Sequence, residues 1–314
     1  MKLALSTNWC CRRIEDPGEI ADLALALGFD ALELGFHTTQ AQADGFRRLA
    51  ERIPVGSVHA FCPVPISAPR GYPELYSLAS LDEDARALAR YHVLKNVRFA
   101  AEIGADAVVL HAGRVPFSSF FRRGLDSGAL RAALAKCWGG TDAPRYRRML
   151  ARAAKVRRAR GARMLDVFKA ELSAIAPELE RLGVALALEN MPYREGFPDE
   201  AEMAALARDL AGAPVRGWFD TGHDRVRLCH GWIAESWFKS APGGAAAFAG
   251  MHLNDVEGLS DDHMAPGFGK VDFAAMKDFA EGVGHVVFEP GGGVSREELE
   301  KGVAHIRSVW GLRI

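Results

Sequence analysis

Eight runs of mostly apolar residues, each of strand length, recur along the chain with amphipathic stretches between them. They fall at 2–7, 31–36, 55–61, 107–112, 184–189, 215–220, 248–254 and 285–289. Their apolarity is nearly continuous rather than alternating, the pattern of strands covered on both faces, as parallel sheets require. The stretches between carry helical spacing at 17–27, 82–103, 164–182, 199–210, 273–281 and 296–310. Glycines stop three of these helices, Gly28, Gly104 and Gly183, the last two in the similar settings Ala-Glu-Ile-Gly and Glu-Arg-Leu-Gly. Alternating strand and helix with eight strands predicts an α/β chain, a single (β/α)8 TIM barrel over residues 1–314. An open doubly wound sheet would need a Gly-rich phosphate turn after the first strand, and Ser6-Thr7-Asn8-Trp9-Cys10-Cys11 is no such turn.

Four of the runs end in a polar residue where the strand gives way to loop: Glu189, Asp220, His252 and Glu289. Glu189 to Asp220 is 31 positions, Asp220 to His252 is 32, and His252 to Glu289 is 37. Each step is about one strand–helix unit, so the four fall on the C-terminal face of successive strands, where barrels build their sites. Three carboxylates buried together without compensation would each cost several kcal/mol of desolvation. A divalent cation at their centre removes the conflict, and a set of oxygens with one imidazole suits Mn, Mg, Co or Zn.

A second ring of candidates surrounds these four. His59 and His111 end the third and fourth strands, His223 follows Asp220 by three positions, and Asp261 and His263 lie in the loop after the seventh strand. For His59 and His111, contact with the substrate or with a metal ligand is favoured over direct ligation; the set also admits additional metal. His37, His92, His230, His285 and His305 read as incidental.

Glu189 follows His111 by 78 positions, too many for one unit, so an insertion of loop and extra helix is expected at about 114–163. It holds Phe117, Phe120, Phe121, Arg122 and Arg123, aromatic and basic residues that suit core packing, a cap over the mouth or a contact with another subunit. From 145 to 163 there are nine Arg or Lys and no acid, read as a solvated helix face before a phosphate-binding surface or an oligomer contact. The whole chain nevertheless carries a formal charge of -1, which gives no global pull toward nucleic acid or an anionic membrane. The five scattered cysteines form no CxxC pair and fit a reduced, cytoplasmic setting. The N-terminal apolar run is too short for a signal peptide, and no run approaches a membrane span.

Taken in order, Leu188-Glu189-Asn190, Phe219-Asp220-Thr221-Gly222-His223, Met251-His252-Leu253-Asn254-Asp255, Asp261 to Gly269 and Val287-Phe288-Glu289-Pro290 resemble the xylose-isomerase-like barrels. The resemblance spans the chain apart from the insertion. It implies a divalent-metal-dependent isomerase or epimerase of a small sugar, sugar phosphate or polyol. Glu189, Asp220, His252 and Glu289 would then be ligands, Glu189 and Glu289 the acid/base pair acting through an enediolate, and His223 a holder of substrate oxygens. Leu253-Asn254-Asp255 departs from the ketose epimerases, where Glu and Arg contacts follow the histidine. His-Leu-Asn-Asp, together with His59, His111, Glu189, Asp220, His223, His252, Asp261, His263 and Glu289, is similar instead to the endonuclease IV branch. That branch implies a trinuclear zinc phosphodiesterase acting on abasic DNA. A third alternative is a metal-binding barrel without catalysis. Substrate, metal identity and oligomeric state are left open by these residues, a homo-oligomer included.

Overall fold

The computed structural model describes residues 1–117 and 124–312. Phe120, Phe121, Arg122 and Arg123 lie outside the described residues. Eight parallel strands close into a barrel: β1 (Ala4–Ser6), β2 (Ala31–Leu34), β3 (Val55–His59), β4 (Ala107–Leu110), β6 (Ala185–Glu189), β8 (Val215–Asp220), β9 (Phe248–Leu253) and β10 (His285–Phe288). β1 closes the ring by pairing with both β2 and β10. A two-residue antiparallel pair, β5 (Gly113–Arg114) with β7 (Gly196–Phe197), ties the end of the β4 segment to the loop after β6. All eight expected strands are present; β8 has the expected bounds and the others are shorter by one to three residues.

The barrel is filled low down by Ala4, Ala107, Val109, Ala187, Val287 and the fully buried Trp218. Small residues from neighbouring strands make room for one indole. A Cβ on Gly250 would stand 2.5 Å from the Trp218 ring, so that position requires glycine. Truncating such a ring to Ala typically costs about 3–5 kcal/mol. Outside the barrel, α1 (Pro17–Ala26), α2 (Gln40–Arg47), α3 (Glu83–Ile103), α6 (Glu200–Asp209), α9 (Lys277–Gly282) and α10 (Arg296–Trp310) cover the strands with their apolar faces. Their starts are set locally. Asp16 and Asp82 accept the first free backbone N–H groups of α1 and α3, and Ser295 with Glu298 forms a reciprocal cap on α10. α3 ends on Gly104 in the left-handed region, φ +80°, as its sequence predicts.

The insertion differs from expectation in one respect. It does not precede the helix at 164–182 but extends it: α5 runs unbroken from Pro144 to Leu182, 39 residues or roughly 58 Å. Its C-terminal half packs on the barrel, and its N-terminal half builds a second small core with α4 (Ser127–Ala135). Phe117, Leu130, Leu134, Tyr146 and Trp232 fill that core, so Phe117 is a packing residue. The basic run lies along this half of α5. Seven of its nine cations are exposed, but Arg157 is buried, reaching Asp199 at 2.8 Å, Glu202 at 2.7 Å and the Gly196 carbonyl at 2.5 Å. That one is a structural brace rather than part of a solvated face. No helix among the described residues is long and apolar enough to cross a membrane.

Candidate functional site

β6, β8, β9 and β10 deliver their terminal polar residues to one point above the Trp218 layer. Glu189, Asp220, His252 and Glu289 are all buried and place one ligand-type atom each within 4.8 Å of the others. His252 Nδ1 is the centre of the group, 3.2 Å from Glu289 Oε2, 3.4 Å from Glu189 Oε1 and 3.8 Å from Asp220 Oδ2. Ligands about 2.1 Å from one shared ion stand roughly 3.0–3.4 Å apart, so these spacings suit a common cation.

The other nitrogen of His252 is held by a residue that sequence reading passed over. Glu33, a lone acid within β2, is fully buried and meets His252 Nε2 at 3.1 Å while accepting from the Ser57 hydroxyl at 2.8 Å. Glu33 therefore holds the proton on Nε2, so that Nδ1 is the nitrogen turned toward the three carboxylates. The same device recurs around the ring. His59 Nδ1 donates to the Ala60 carbonyl at 3.0 Å, and its Nε2 lies 3.2 Å from Glu189 Oε2. The Asn190 carbonyl accepts from His223 Nδ1 at 2.7 Å, and Nε2 of that ring faces Asp261 Oδ2 at 3.4 Å. For His263 the acceptor is the Glu289 carbonyl, 2.9 Å away, and its Nε2 lies 3.4 Å from Asp261 Oδ1. His111 reaches Glu189 Oε2 through Nε2 at 3.0 Å and turns Nδ1 toward Glu74. Two further trios of donors result, His59–His111–Glu189 and His223–Asp261–His263, alongside His59–His252–Glu289. Every candidate named from the sequence is thus in one connected constellation.

The loops hold these side chains by backbone hydrogen bonds. Asp220 caps α7 (Thr221–Cys229), accepting from the His223 N–H at 2.7 Å, which fixes both residues at once. Asn254 donates to Asp220 Oδ2 at 2.6 Å, and Asn190 accepts from the Asp220 N–H at 2.7 Å. Asp255 accepts the backbone N–H of Gly267, Gly269 and Val271, so the Pro-Gly-Phe-Gly turn is wrapped around one carboxylate. His263 adopts φ +47°, uncommon for a side chain with a Cβ, and a Gly291 N–H to His263 carbonyl bond of 2.8 Å supports it. Asn8 joins the far side, donating to Glu289 Oε1 at 3.2 Å.

Electrostatically the site compensates itself. Burial would depress the imidazoles, but the surrounding carboxylates reverse this, lifting His111 to about 9, His263 to about 10, and His223 and His252 well above their ordinary value. Burial would likewise raise Glu189, yet charge on His111 and His252 holds it well below the usual carboxylate range. Burial wins at Asp220, which is raised. Protons on histidines thus occupy the role a cation would take.

Above the cluster opens a cavity of about 720 Å³, within the range of small-molecule sites. His59, His111, Glu189, His223, Asp261, His263 and Glu289 line its floor, with Phe36, Tyr72 and Tyr193 as aromatic wall. His37, read as incidental from the sequence, is also part of that wall. Arg114 stacks over Tyr193 at 3.6 Å and pairs with Glu74 at 2.6 Å, bracing the side next to His111. The exposed cations of α5 do not line the cavity.

Likeness to known proteins accords with this architecture. The sequence profile of a family described as "Xylose isomerase-like TIM barrel" matches residues 21–309. No curated protein sequence matches the chain. Among solved structures, a D-tagatose 3-epimerase-like protein superposes with TM-score 0.68 at 18% identity, covering 99% of this chain and 98% of that one. A 3-keto-D-glucoside 4-epimerase from E. coli gives TM-score 0.68 at 14% identity, covering 98% and 99%. A protein from Thermus thermophilus, soaked with ZnCl2, gives TM-score 0.60 at 21% identity, covering 100% of both.

Proposed function

We propose that this chain, which belongs to the xylose isomerase-like TIM barrel family, is a divalent-metal-dependent isomerase or epimerase of a small sugar or sugar derivative. The observation that carries the reading is the placement of two glutamates. Glu189 and Glu289 both line the cavity floor, come from strands on different sides of β9, and converge on His252. The epimerase titles among structures of the same fold support the same class.

Glu189, Asp220, His252 and Glu289 would hold the metal; His59, His111, His223, Asp261 and His263 contact the substrate or hold additional metal. A bound divalent ion supplies Lewis-acid polarisation of neighbouring substrate oxygens, which lowers the pKa of the adjoining C–H. One glutamate carboxylate accepts that carbon-bound proton, and the electron pair moves into the carbonyl to give an enediolate. The other glutamate, protonated, returns a proton to the opposite face of the carbon. Exchange with solvent then resets both carboxyls. His223, with Nδ1 pinned by Asn190, keeps its Nε2 fixed for a substrate oxygen. The walls of Phe36 and Tyr193 limit water around the charged intermediate.

Deuterium incorporation next to the carbonyl of ketoses in D2O, followed by NMR, tests this reading. Turnover of at least one ketose is expected, with Glu189→Gln and Glu289→Gln each lowering it about 10³-fold while thermal unfolding stays cooperative. Undiminished exchange in both variants would sink the mechanism.

A second reading is favoured by the extra donor trios: a trinuclear zinc phosphodiesterase acting on abasic DNA. Elemental mass spectrometry separates the two. About one ion per chain accords with the isomerase, whereas about three zinc ions with cleavage of an abasic duplex would replace it.

A further inference from the structure

Resting on the isomerase reading, we infer that the rim formed by the loops after β1, β2 and β3 is an anion subsite, with Arg12, His37 and Arg70 as its donors. The substrate is then a hydroxy-carbonyl compound carrying a phosphate or carboxylate at the end remote from the reacting carbons.

The acids and the arginines of the cavity differ in their partners. Glu189 and Glu289 lie where β6 and β10 end, Asp261 lies in the loop after β9, Glu74 stands beside His111, and each carboxylate is already engaged. Arg114 holds Glu74, His252 holds Glu189 and Glu289, and His223 and His263 hold Asp261. Arg12, on the loop after β1, and Arg70, on the loop that also carries Glu74, line the same cavity and are exposed. Among the described residues neither has an ion pair or a hydrogen bond. Two guanidinium groups facing one small cavity without counter-charge repel each other, and an anion between them removes that repulsion.

This rim is built rather than loose. The turn carrying Arg12 is pinned by Gln42, whose amide donates to the carbonyls of Cys11 and Ile14 at 2.8 and 2.9 Å. The loop carrying Arg70 sits directly on the one carrying His37. A Cβ at Gly71 would fall 1.8 Å from the Phe36 carbonyl oxygen, and Val64 donates to Thr38 at 2.9 Å. Burial lowers the pKa of His37, and the positive charges of Arg12 and Arg70 lower it further while Glu289 opposes them, so the ring is within reach of both groups. Asn8 makes the same connection, its side chain holding the His37 N–H and Glu289 Oε1, each at 3.2 Å. One ligand can therefore span from the glutamates to the arginines.

The test uses the protein as purified and three panels matched in carbon skeleton: free ketoses such as D-ribulose and D-fructose, their terminal phosphates, and the corresponding keto-uronates. Deuterium exchange in D2O gives kcat/KM for each. At least one anionic compound is expected to exceed its neutral counterpart about 100-fold, and the Arg12→Gln/Arg70→Gln variant to erase that ratio, about 10-fold per guanidinium. Which panel responds distinguishes phosphate from carboxylate. Equal or better exchange of the neutral sugars, or an unchanged ratio in the variant, overturns the subsite and leaves the isomerase intact. Where no panel exchanges, calorimetric titration with inorganic phosphate decides. Binding weakened at least tenfold in the variant keeps the subsite while the isomerase reading falls; binding unchanged or absent overturns the subsite.

Discussion

Glu33 shows how one buried charge can govern a site it does not line. Its carboxylate sits on His252 Nε2 and on Ser57, and burial alone would raise it. The charge and hydrogen bond of His252 outweigh burial and lower it, so the group is ionised at neutral pH. An ionised Glu33 makes His252 a stronger donor at Nδ1 and fixes the ring plane. Glu33→Gln keeps a hydrogen-bond acceptor but removes the charge. We expect the affinity for Mn2+ or Zn2+, measured by calorimetry, to fall about 10- to 100-fold with the circular dichroism spectrum unchanged. An affinity equal to that of the unaltered protein would remove Glu33 from the site's machinery.

At the level of elements, α7 works in two directions. Its first turn carries the Asp220–His223 pair, and one residue on, Asp224 caps the short α8 (Trp237–Ser240), accepting from the Ser236 hydroxyl at 2.6 Å and the Trp237 N–H at 3.0 Å. Burial pushes Asp224 up to about 6 despite those bonds. A carboxyl whose folded pKa exceeds its unfolded one binds protons more readily when folded, so this group destabilises the chain above pH 6 and ceases to do so below about pH 4. The expected size is roughly 2–3 kcal/mol. Asp224→Asn, followed by urea unfolding from pH 8 to pH 4, should therefore be more favourable relative to the unaltered chain at pH 8 than at pH 4. A difference independent of pH would refute the assignment. The eight strands were legible because burial on both faces requires near-continuous apolarity, and the candidate site residues at four of their ends were legible because a polar group interrupts that run. Glu33 gives the same signal inside a run instead of at its end, and Glu74 and Arg114 give none, since only the folded loops bring them together. α2 and α7 were not read as helices: each is short and mostly polar, and α7 begins in the loop-like Thr-Gly-His-Asp. The true start of α5 was hidden by its basic composition, although Pro144 at the first turn is a start signal and Arg, Ala and Lys are helix formers.

For the whole molecule, a barrel floor compensated by protonated histidines ties cation binding to pH. His111 at about 9 and His263 at about 10 hold protons at neutrality, and an arriving ion displaces protons from the rings it meets. Metal affinity should therefore rise with pH through this range. Titration of Mn2+ or Zn2+ at pH 7.5 in buffers of differing ionisation enthalpy should register at least one proton released per chain; none released would contradict the charge balance. The continuous α5 has a separate consequence for access. One helix belongs to two cores, clamped to the barrel along one half and carrying the smaller core on the other, with Arg157 anchoring the junction to Gly196, Asp199 and Glu202. Such a member behaves as a cantilever: its internal proline, Pro177, lies in the half clamped to the barrel, and tilting the outer core would break helical bonds in its middle. The flank beside β6 is thus a fixed jamb of the doorway, held by a helix that neither core can release without the other.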